Sequence, residues 1–409
     1  MGGDHWVIRN ARVCVMMFLQ FFIWGAWYAT GGNYMKTQGM SDLIYLAYLA
    51  SPIGSVVSPF FLGMIADRFF SVQKVMGVMH VLSGLFIFVA PSFSGPIFLL
   101  FILCHMLCYM PTVSLASATA FHLVNDKQKD FPVVRLFGTI GWIVAGIIVS
   151  YLLKGDTTAL PMYVAGAAGI GMGLYSFTLP DIPPKGEGSP FSFRDVLGID
   201  ALKHLYSPSF VVFVAGLLLI SIPFAVYFPY VPVFLRTAGI ENPAFRMTFG
   251  QMSEVVFLLC MPWFFRKLGI KWVLIMGLVA WAVRYGLFAA GAPDAVVWMV
   301  MVGILLHGAC YDFVYVASQV YIDSKATPAI RAQGQGLFVM ISYGVGQGLG
   351  TIAGGWIFNS IMNGDDTQSL VQWQAFWTIP LIFAVIVSLM FAFGFKEKTT
   401  IVAQSPTHG

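Results

Sequence analysis

The sequence predicts an all-α membrane protein of twelve transmembrane helices, arranged as two pseudo-symmetric six-helix bundles. Three observations carry that expectation. First, of 409 residues 58% are hydrophobic and 10% charged, with a mean hydropathy of +0.80. A soluble domain carries about 25% charged residues, so this chain cannot cover itself with water-facing side chains and its solvent is mostly lipid. Second, the apolar runs are about 20 residues long, the length that crosses a bilayer as helix. Hydrocarbon forces every backbone N–H and C=O to bond internally, which leaves helices or closed barrels, and barrel strands would show short alternating segments instead. Third, two pairs of short segments recur 196 and 200 residues apart.

In chain order, apolar runs broken by charge and turn residues begin near Val13, Leu43, Val75, Ile97, Val134 and Leu160. The second six begin near Phe210, Met247, Trp272, Val296, Gly334 and Trp373. Arg9 and Arg12 before the first run resemble a signal peptide, but no small-residue cleavage site follows and further spans do, so a retained helix is expected. Pro132-Val-Val-Arg135-Leu-Phe-Gly138 opens span five, and Pro328-Ala-Ile-Arg331-Ala-Gln-Gly334 opens span eleven. Val75-Met-Gly77 and Ile275-Met-Gly277 open spans three and nine in the same way. Span seven carries Pro223, Pro229 and Pro232 and is expected to be broken.

Between spans six and seven runs the longest hydrophilic stretch, Pro180 to Pro208. Its start is Pro/Gly-rich linker. Its continuation places Phe193, Val196, Leu197, Ala201 and Leu205 on one face, an amphipathic helix lying on the membrane surface. The expected organisation is an N-terminal bundle over 1–180, a cytoplasmic linker over 181–208, a C-terminal bundle over 209–395 and a cytoplasmic tail over 396–409. With the N-terminus inside, seventeen Lys and Arg fall on cytoplasmic segments and only Lys36, Lys154, Arg236 and Arg246 on outer loops. That asymmetry puts both termini in the cytoplasm.

Two six-helix repeats with a central cytoplasmic linker describe the major facilitator architecture. Gly63-x-x-x-Asp67-Arg68 resembles that superfamily's loop signature, without the usual following Gly-Arg-Arg. Other patterns read as packing. The five cysteines (Cys14, Cys104, Cys108, Cys260 and Cys310) lie in apolar segments, and Cys104-His105-x-x-Cys108 is one helix turn without further ligands, so no metal is expected. Gly344-Val-Gly-Gln-Gly348-Leu-Gly350 has no preceding strand or nearby lysine, so it is a close-packing helix surface rather than a phosphate loop. No basic patch suggests nucleic acid.

Ionisable groups inside spans cost several kcal/mol unless paired or hydrated, and each is a functional candidate. They are Glu254 in span eight, Arg284 in span nine, His307 and Asp312 in span ten, and Arg135 at the start of span five. Counted from a span-eight start near Met247, Glu254 lies roughly 10 Å deep. Arg284 lies at a similar depth from the end of span nine, so an ion pair between them is expected, with Asp312 nearer in depth to Arg135 and with no second acid at its own depth. His80 and His105 are expected to be satisfied packing residues. Phe21, Trp24, Trp27 and Tyr28 crowd span one, and Phe224, Tyr227, Phe228 and Tyr230 crowd span seven. An aromatic-lined cavity with a few charges suits a flat ligand that both stacks and hydrogen bonds.

Leu19-Gln-Phe-Phe-Ile-Trp24-Gly25-Ala-Trp27 resembles the opening signature of the bacterial nucleoside:proton symporter family. Tyr109-Met-Pro-Thr112, Phe131-Pro-x-x-Arg135-x-x-Gly-Thr139-Ile-Gly141, Ser253-Glu254, Tyr311-Asp312-Phe313 and Pro328-Ala-Ile-Arg331-Ala-x-x-Gln335-Gly336 resemble its later motifs, in order along the chain. The resemblance implies a substrate site of Arg135, Thr139 and Trp142 on span five, with Gln251 and Glu254 on span eight bonding ribose or base. His307 and Tyr311 on span ten stand in the positions of an aromatic pair, and Trp24, Phe224, Tyr227 and Phe228 are further cavity aromatics. Asp312, with Glu254, is expected to couple the proton, since Asp312 shares a depth with Arg135. Departures from the family's pattern are Phe224, Ala225, Tyr227 and Phe228 where members carry amides on span seven, Ser117 for an asparagine, and His307 for a tyrosine.

The function implied is secondary active import of nucleosides by proton symport through alternating access in a bacterial inner membrane. The alternative is a proton-coupled facilitator for another small polar solute such as a sugar. The carboxylates alone suit H+ or Na+; the resemblance implies H+. No catalytic residue, metal or cofactor is expected, an intramembrane hydrolase needing a buried nucleophile–base pair or paired acids. The expected partners are the nucleoside and the lipid bilayer, around a monomer.

Overall fold

A computed structural model describes residues 2–61, 70–124, 130–183, 197–327, 330–362 and 369–396. Among the described residues the chain is helical and has no strand. Ten helical stretches there are long and apolar enough to cross a membrane, from Asn10–Thr37 to Leu370–Gly394. One of them, Pro243–Gly291, is two helices meeting at Gly269, whose φ of 73° only glycine adopts without strain. Leu160–Ser176 adds a helix of 17 residues. Divided and completed in this way, the described residues give twelve spans, each starting within about four residues of its expected place.

Burial runs opposite to a soluble protein. Leu259 and Phe393 are 77% and 79% exposed, whereas Gln20, His80, Arg284 and Asp312 are wholly buried. A lipid-facing surface produces that inversion. Spans one to six pack on one another, one against five and six, and three against four and six. Spans seven to twelve do likewise, eight and nine against ten and twelve, and seven against eleven and twelve. The two groups meet where span two touches eleven, five touches eight, and the end of one touches seven. The glycines of span eleven are such a seam: a Cβ at Gly350 would come within 2.4 Å of the Ile222 carbonyl on span seven.

Span seven is broken, as its prolines demand. Pro208–Phe224 ends and Tyr227–Thr237 resumes two residues later. Pro229 offers no N–H to residue 225, and the Tyr285 hydroxyl donates to the buried Pro223 carbonyl at 2.5 Å. Spans five, ten and eleven each carry a π-helical turn, Ile147–Leu152, Asp312–Val316 and Met340–Gly346. Such turns concentrate at functional sites.

The helix Ile199–Leu205 buries Ala201 against Ala326 and Ile330, with Leu205 packed alongside, and the Ala201 N–H donates to Gln333 Oε1 at 3.3 Å. Ala201 and Leu205 of the expected apolar face thus turn onto spans ten and eleven, whereas Leu197 precedes the helix and is exposed. Phe193, Arg194, Asp195, Val196 and the Gly63 to Arg68 motif lie outside the described residues.

Four side-chain hydrogen bonds join the two groups of spans among the described residues: Asn33 Nδ2 to Pro232 O, Asn359 Nδ2 to Asp42 O, Lys154 Nζ to Asn242 Oδ1, and Ala244 N–H to Asp156 Oδ1. All four lie at the end that the Lys/Arg count assigns to the outside. There Gly32 sits so close to span seven that a Cβ would come within 2.5 Å of the Pro229 carbonyl.

Candidate functional site

A cavity of about 120 Å³ lies between the two groups of spans. Helical spacing delivers its lining, because residues three or four apart share a face. Span one contributes Phe21, Trp24 and Tyr28; span five contributes Arg135, Gly138, Thr139 and Trp142. From the second group come Phe224 and Phe228 on span seven, and Gln251 and Glu254 on span eight. His307 and Tyr311 on span ten and Tyr343 and Gln347 on span eleven complete it.

One wall is a run of rings that crosses the interface. Trp24 meets Trp142 with centroids 5.6 Å apart, and Phe228 meets both Trp142 and Tyr28 at 5.5 Å. The other is a ladder along span ten. His307 stacks on Tyr227 at 5.2 Å and 13° and on Tyr311 at 5.9 Å and 21°, and Tyr311 stacks on Tyr315. The Tyr311 and Tyr343 hydroxyls lie 2.6 Å apart, tying spans ten and eleven together across the cavity. Tyr227, expected in the lining, is instead fully buried and backs His307. Its place in the broken turn of span seven points it outward from the cavity and leaves the lining to Phe224 and Phe228.

Arg135 and Glu254 line the cavity together. Arg135 lays its guanidinium 4.4 Å over the Phe21 ring. Glu254 lines the same cavity from span eight. Asp312 opens the π-turn of span ten, lies outside the lining, and both of its oxygens are buried without a hydrogen-bond partner. Gln251 Oε1 and His307 Nδ1 are likewise buried and unpartnered. No ion pair forms between Arg135 and Asp312 in this conformation among the described residues.

Two expectations are corrected here. Span eight begins at Pro243, four residues before the expected start, so Glu254 lies eleven residues in, about 16 Å at helical rise. Arg284 lies only seven residues from the end of its helix at Gly291, about 10 Å. The depths differ, and the Glu254–Arg284 pair does not form. Arg284 instead donates through Nε to the Gly303 carbonyl at 3.0 Å and lies 4.3 Å over Tyr227 and 4.7 Å over Trp281. Both of its Nη atoms are buried without a partner. Asp312 does have a second acid nearby: Glu254 follows Ser253, whose Oγ accepts from the Gly308 N–H, one helical turn before Asp312 on span ten.

Tyr343 and Gln347 are lining residues that sequence reasoning missed. Their i, i+4 spacing was a signal, hidden inside a glycine run whose packing role is also real. His80 and His105 are packing residues with one ring nitrogen each satisfied. His80 Nε2 meets Gln20 Oε1 at 2.8 Å, and His105 Nδ1 meets Ser83 Oγ at 2.8 Å. His80 Nδ1 and His105 Nε2 have no partner.

A family model described as nucleoside H+ symporter matches residues 8–400. YegT of Escherichia coli (strain K12) is 35% identical over 95% of this chain and 94% of its own length. The xanthosine permease of the same organism is 30% identical over 94% of this chain and 95% of its own length. The crystal structure of the nucleoside transporter NupG superposes with a TM-score of 0.84 at 28% identity, over 95% of this chain and all of that one.

Proposed function

We propose, from the premise that the chain belongs to the nucleoside H+ symporter family, that the central cavity is its nucleoside site and that Glu254 and Asp312 carry the coupling proton. The protein is a membrane transporter of the major facilitator fold that imports nucleosides with protons. The observation that supports the site is a single one: an aromatic-walled cavity between the two groups of spans holds Arg135, Gln251 and Glu254 together.

Trp24, Trp142, Phe224 and Phe228 offer faces on which a base stacks, each contact contributing about 1–3 kcal/mol. Gln251 and Glu254, one helical turn apart, bond the ribose or base, and Thr139 and Arg135 face them from span five. His307 and Tyr311 form the floor of the stack, with Tyr227 behind. Arg135 balances one of the two carboxylates and the transported proton balances the other. When the bundles rock, the distance from Arg135 to Asp312 changes, and with it the charge that a bare carboxylate must carry alone.

The bundles over 1–180 and 209–395 are the rocking bodies, joined by the linker over 181–208 and followed by the tail over 396–409. Both termini lie in the cytoplasm, the membrane is the bacterial inner membrane, and the unit is a monomer.

Uptake into reconstituted vesicles of labelled uridine, adenosine and a disaccharide, with and without a pH gradient, tests this reading. Gradient-driven accumulation of a nucleoside is expected; accumulation of the disaccharide alone overturns it. Asp312→Asn imitates the protonated state and is expected to keep nucleoside exchange while losing gradient-driven accumulation. Wild-type concentrative uptake in Asp312→Asn removes Asp312 from coupling.

A further inference from the structure

We propose that Asp156 is a second proton site, at the outer seam between the two groups of spans, and that the seam closes on its protonated form. The argument starts from the first turn of span eight. A helix leaves its first N–H groups without intrahelical partners. Pro243 at the first position has none to offer, so the Ala244 N–H is the first that needs an acceptor. The residue placed to cap it, Asn242, does not: it sits in the left-handed region at φ 54°, and its Oδ1 accepts instead from Lys154 Nζ at 3.1 Å.

The cap comes from the other group of spans. The Ala244 N–H donates to Asp156 Oδ1 at 3.1 Å, and Ser150 Oγ lies 2.6 Å from Asp156 Oδ2. Span eight is thus capped in trans, and the bond exists only while the seam is shut. Lys154 is itself left-handed at φ 52°, so two of the three described non-glycine residues with positive φ face each other across this seam. Strained backbone of this kind persists where surrounding contacts hold it.

Asp156 is 7% exposed. Beside it an open polar hollow of about 410 Å³ gives access from the aqueous face. The charged groups facing Asp156 are Lys154 on its own loop, Arg236 at the end of span seven and Glu241 in the loop before span eight. Burial raises the Asp156 carboxyl above its usual range, outweighing the bonds from Ser150 and Ala244 and the charge of Arg236, which act the other way.

The sign follows by linkage. The carboxyl holds a proton more tightly in the shut seam than when hydrated in an open one. Protonation therefore favours closure. That contribution is fully present below the ordinary aspartate value, about 3.9, and is lost as pH rises through the raised value. The geometry accommodates the proton: Oδ1 still accepts from Ala244, and an Oδ2–H donates to Ser150 Oγ, which exchanges roles. Closure of the outer end then depends on a proton from outside, at a group separate from Glu254 and Asp312.

The test uses full-length protein in lipid nanodiscs with no nucleoside present, so its outcome is independent of the solute the central cavity takes. Spin labels at Thr158→Cys and Asp294→Cys, with the native cysteines changed to serine, report the outer separation by double electron–electron resonance. With Asp156 present, the short-distance population is expected to grow as pH falls between about 8 and 4. Asp156→Asn keeps both bonds without titrating and is expected to stay short throughout. Asp156→Ala strips Ala244 of its acceptor and is expected to shift the balance toward open about tenfold. Ser150→Ala removes one bond to the ionised form and is expected to keep the response with its midpoint moved upward, which guards against a misfolded Asp156→Asn. A pH-independent wild-type distance, a response of opposite sign, or an unchanged response in Asp156→Asn overturns the proposal.

Discussion

Gln251 and Glu254 show how much one turn of helix concentrates. Both face the cavity from span eight, and Gln251 Oε1 is buried with no partner in the protein. A buried acceptor left unmade costs about 1–3 kcal/mol, so a ligand that supplies a donor there recovers that cost. Gln251→Ala and Glu254→Gln are therefore expected to weaken nucleoside binding roughly ten- to a hundredfold, measured by equilibrium binding at matched expression. Unchanged affinity in both variants would assign these residues to packing alone. Arg284 is the contrasting case. Its guanidinium faces two aromatic rings and one carbonyl, with no carboxylate near it among the described residues. Cation–π contacts contribute up to about 2 kcal/mol when desolvated, and through Tyr227 they fix the ring that backs His307.

Span ten is the element on which the site turns. Gly308 lets it touch span eight beside Glu254: the Gly308 N–H donates to Ser253 Oγ at 3.0 Å, and a Cβ would come within 2.6 Å of the Ser253 backbone. One turn later the helix widens into the π-turn that starts at Asp312. The glycine contact and the π-turn together set where Asp312 stands relative to Glu254. Gly308→Val must push the two spans apart, and overpacking of this kind costs about 1–3 kcal/mol. A lower thermal midpoint together with weaker nucleoside binding is the expected result. If both stay at wild-type values, the close contact is not what positions Glu254.

Among the described residues, the four side-chain hydrogen bonds between the bundles lie at one end. A hinge-like rocking that opens that end must break them together, whereas the aromatic contacts across the cavity, such as Trp142 with Phe228, can slide. Which end faces the cytoplasm is carried by the Lys/Arg distribution. A cysteine placed at Gly186 is expected to react with a membrane-impermeant maleimide only after the inner face is exposed. Labelling in intact, right-side-out cells would reverse the orientation, and with it the assignment of the four-bond seam to the outside.

Composition, run length and the repeats at Pro132 and Pro328 determined the fold class, because lipid permits so few backbone solutions that hydropathy alone selects among them. The same economy made the site residues conspicuous: an ionisable group in a span is rare enough that Arg135, Glu254, His307 and Asp312 could each be named from the sequence. Their partners could not. Glu254 sits beside span ten, one turn from Asp312, rather than pairing with Arg284, because span eight starts at Pro243 and four residues of helix move a side chain about 6 Å deeper. Tyr343 and Gln347 enter the cavity, and Tyr227 leaves it, through the π-turn of span eleven and the break in span seven, which rotate faces that a regular helical wheel would assign otherwise. Asp156 was invisible as a loop aspartate. Its cap on span eight joins residues 88 apart, and contacts between bundles are set by how two rigid bodies dock, which no local pattern in either one encodes.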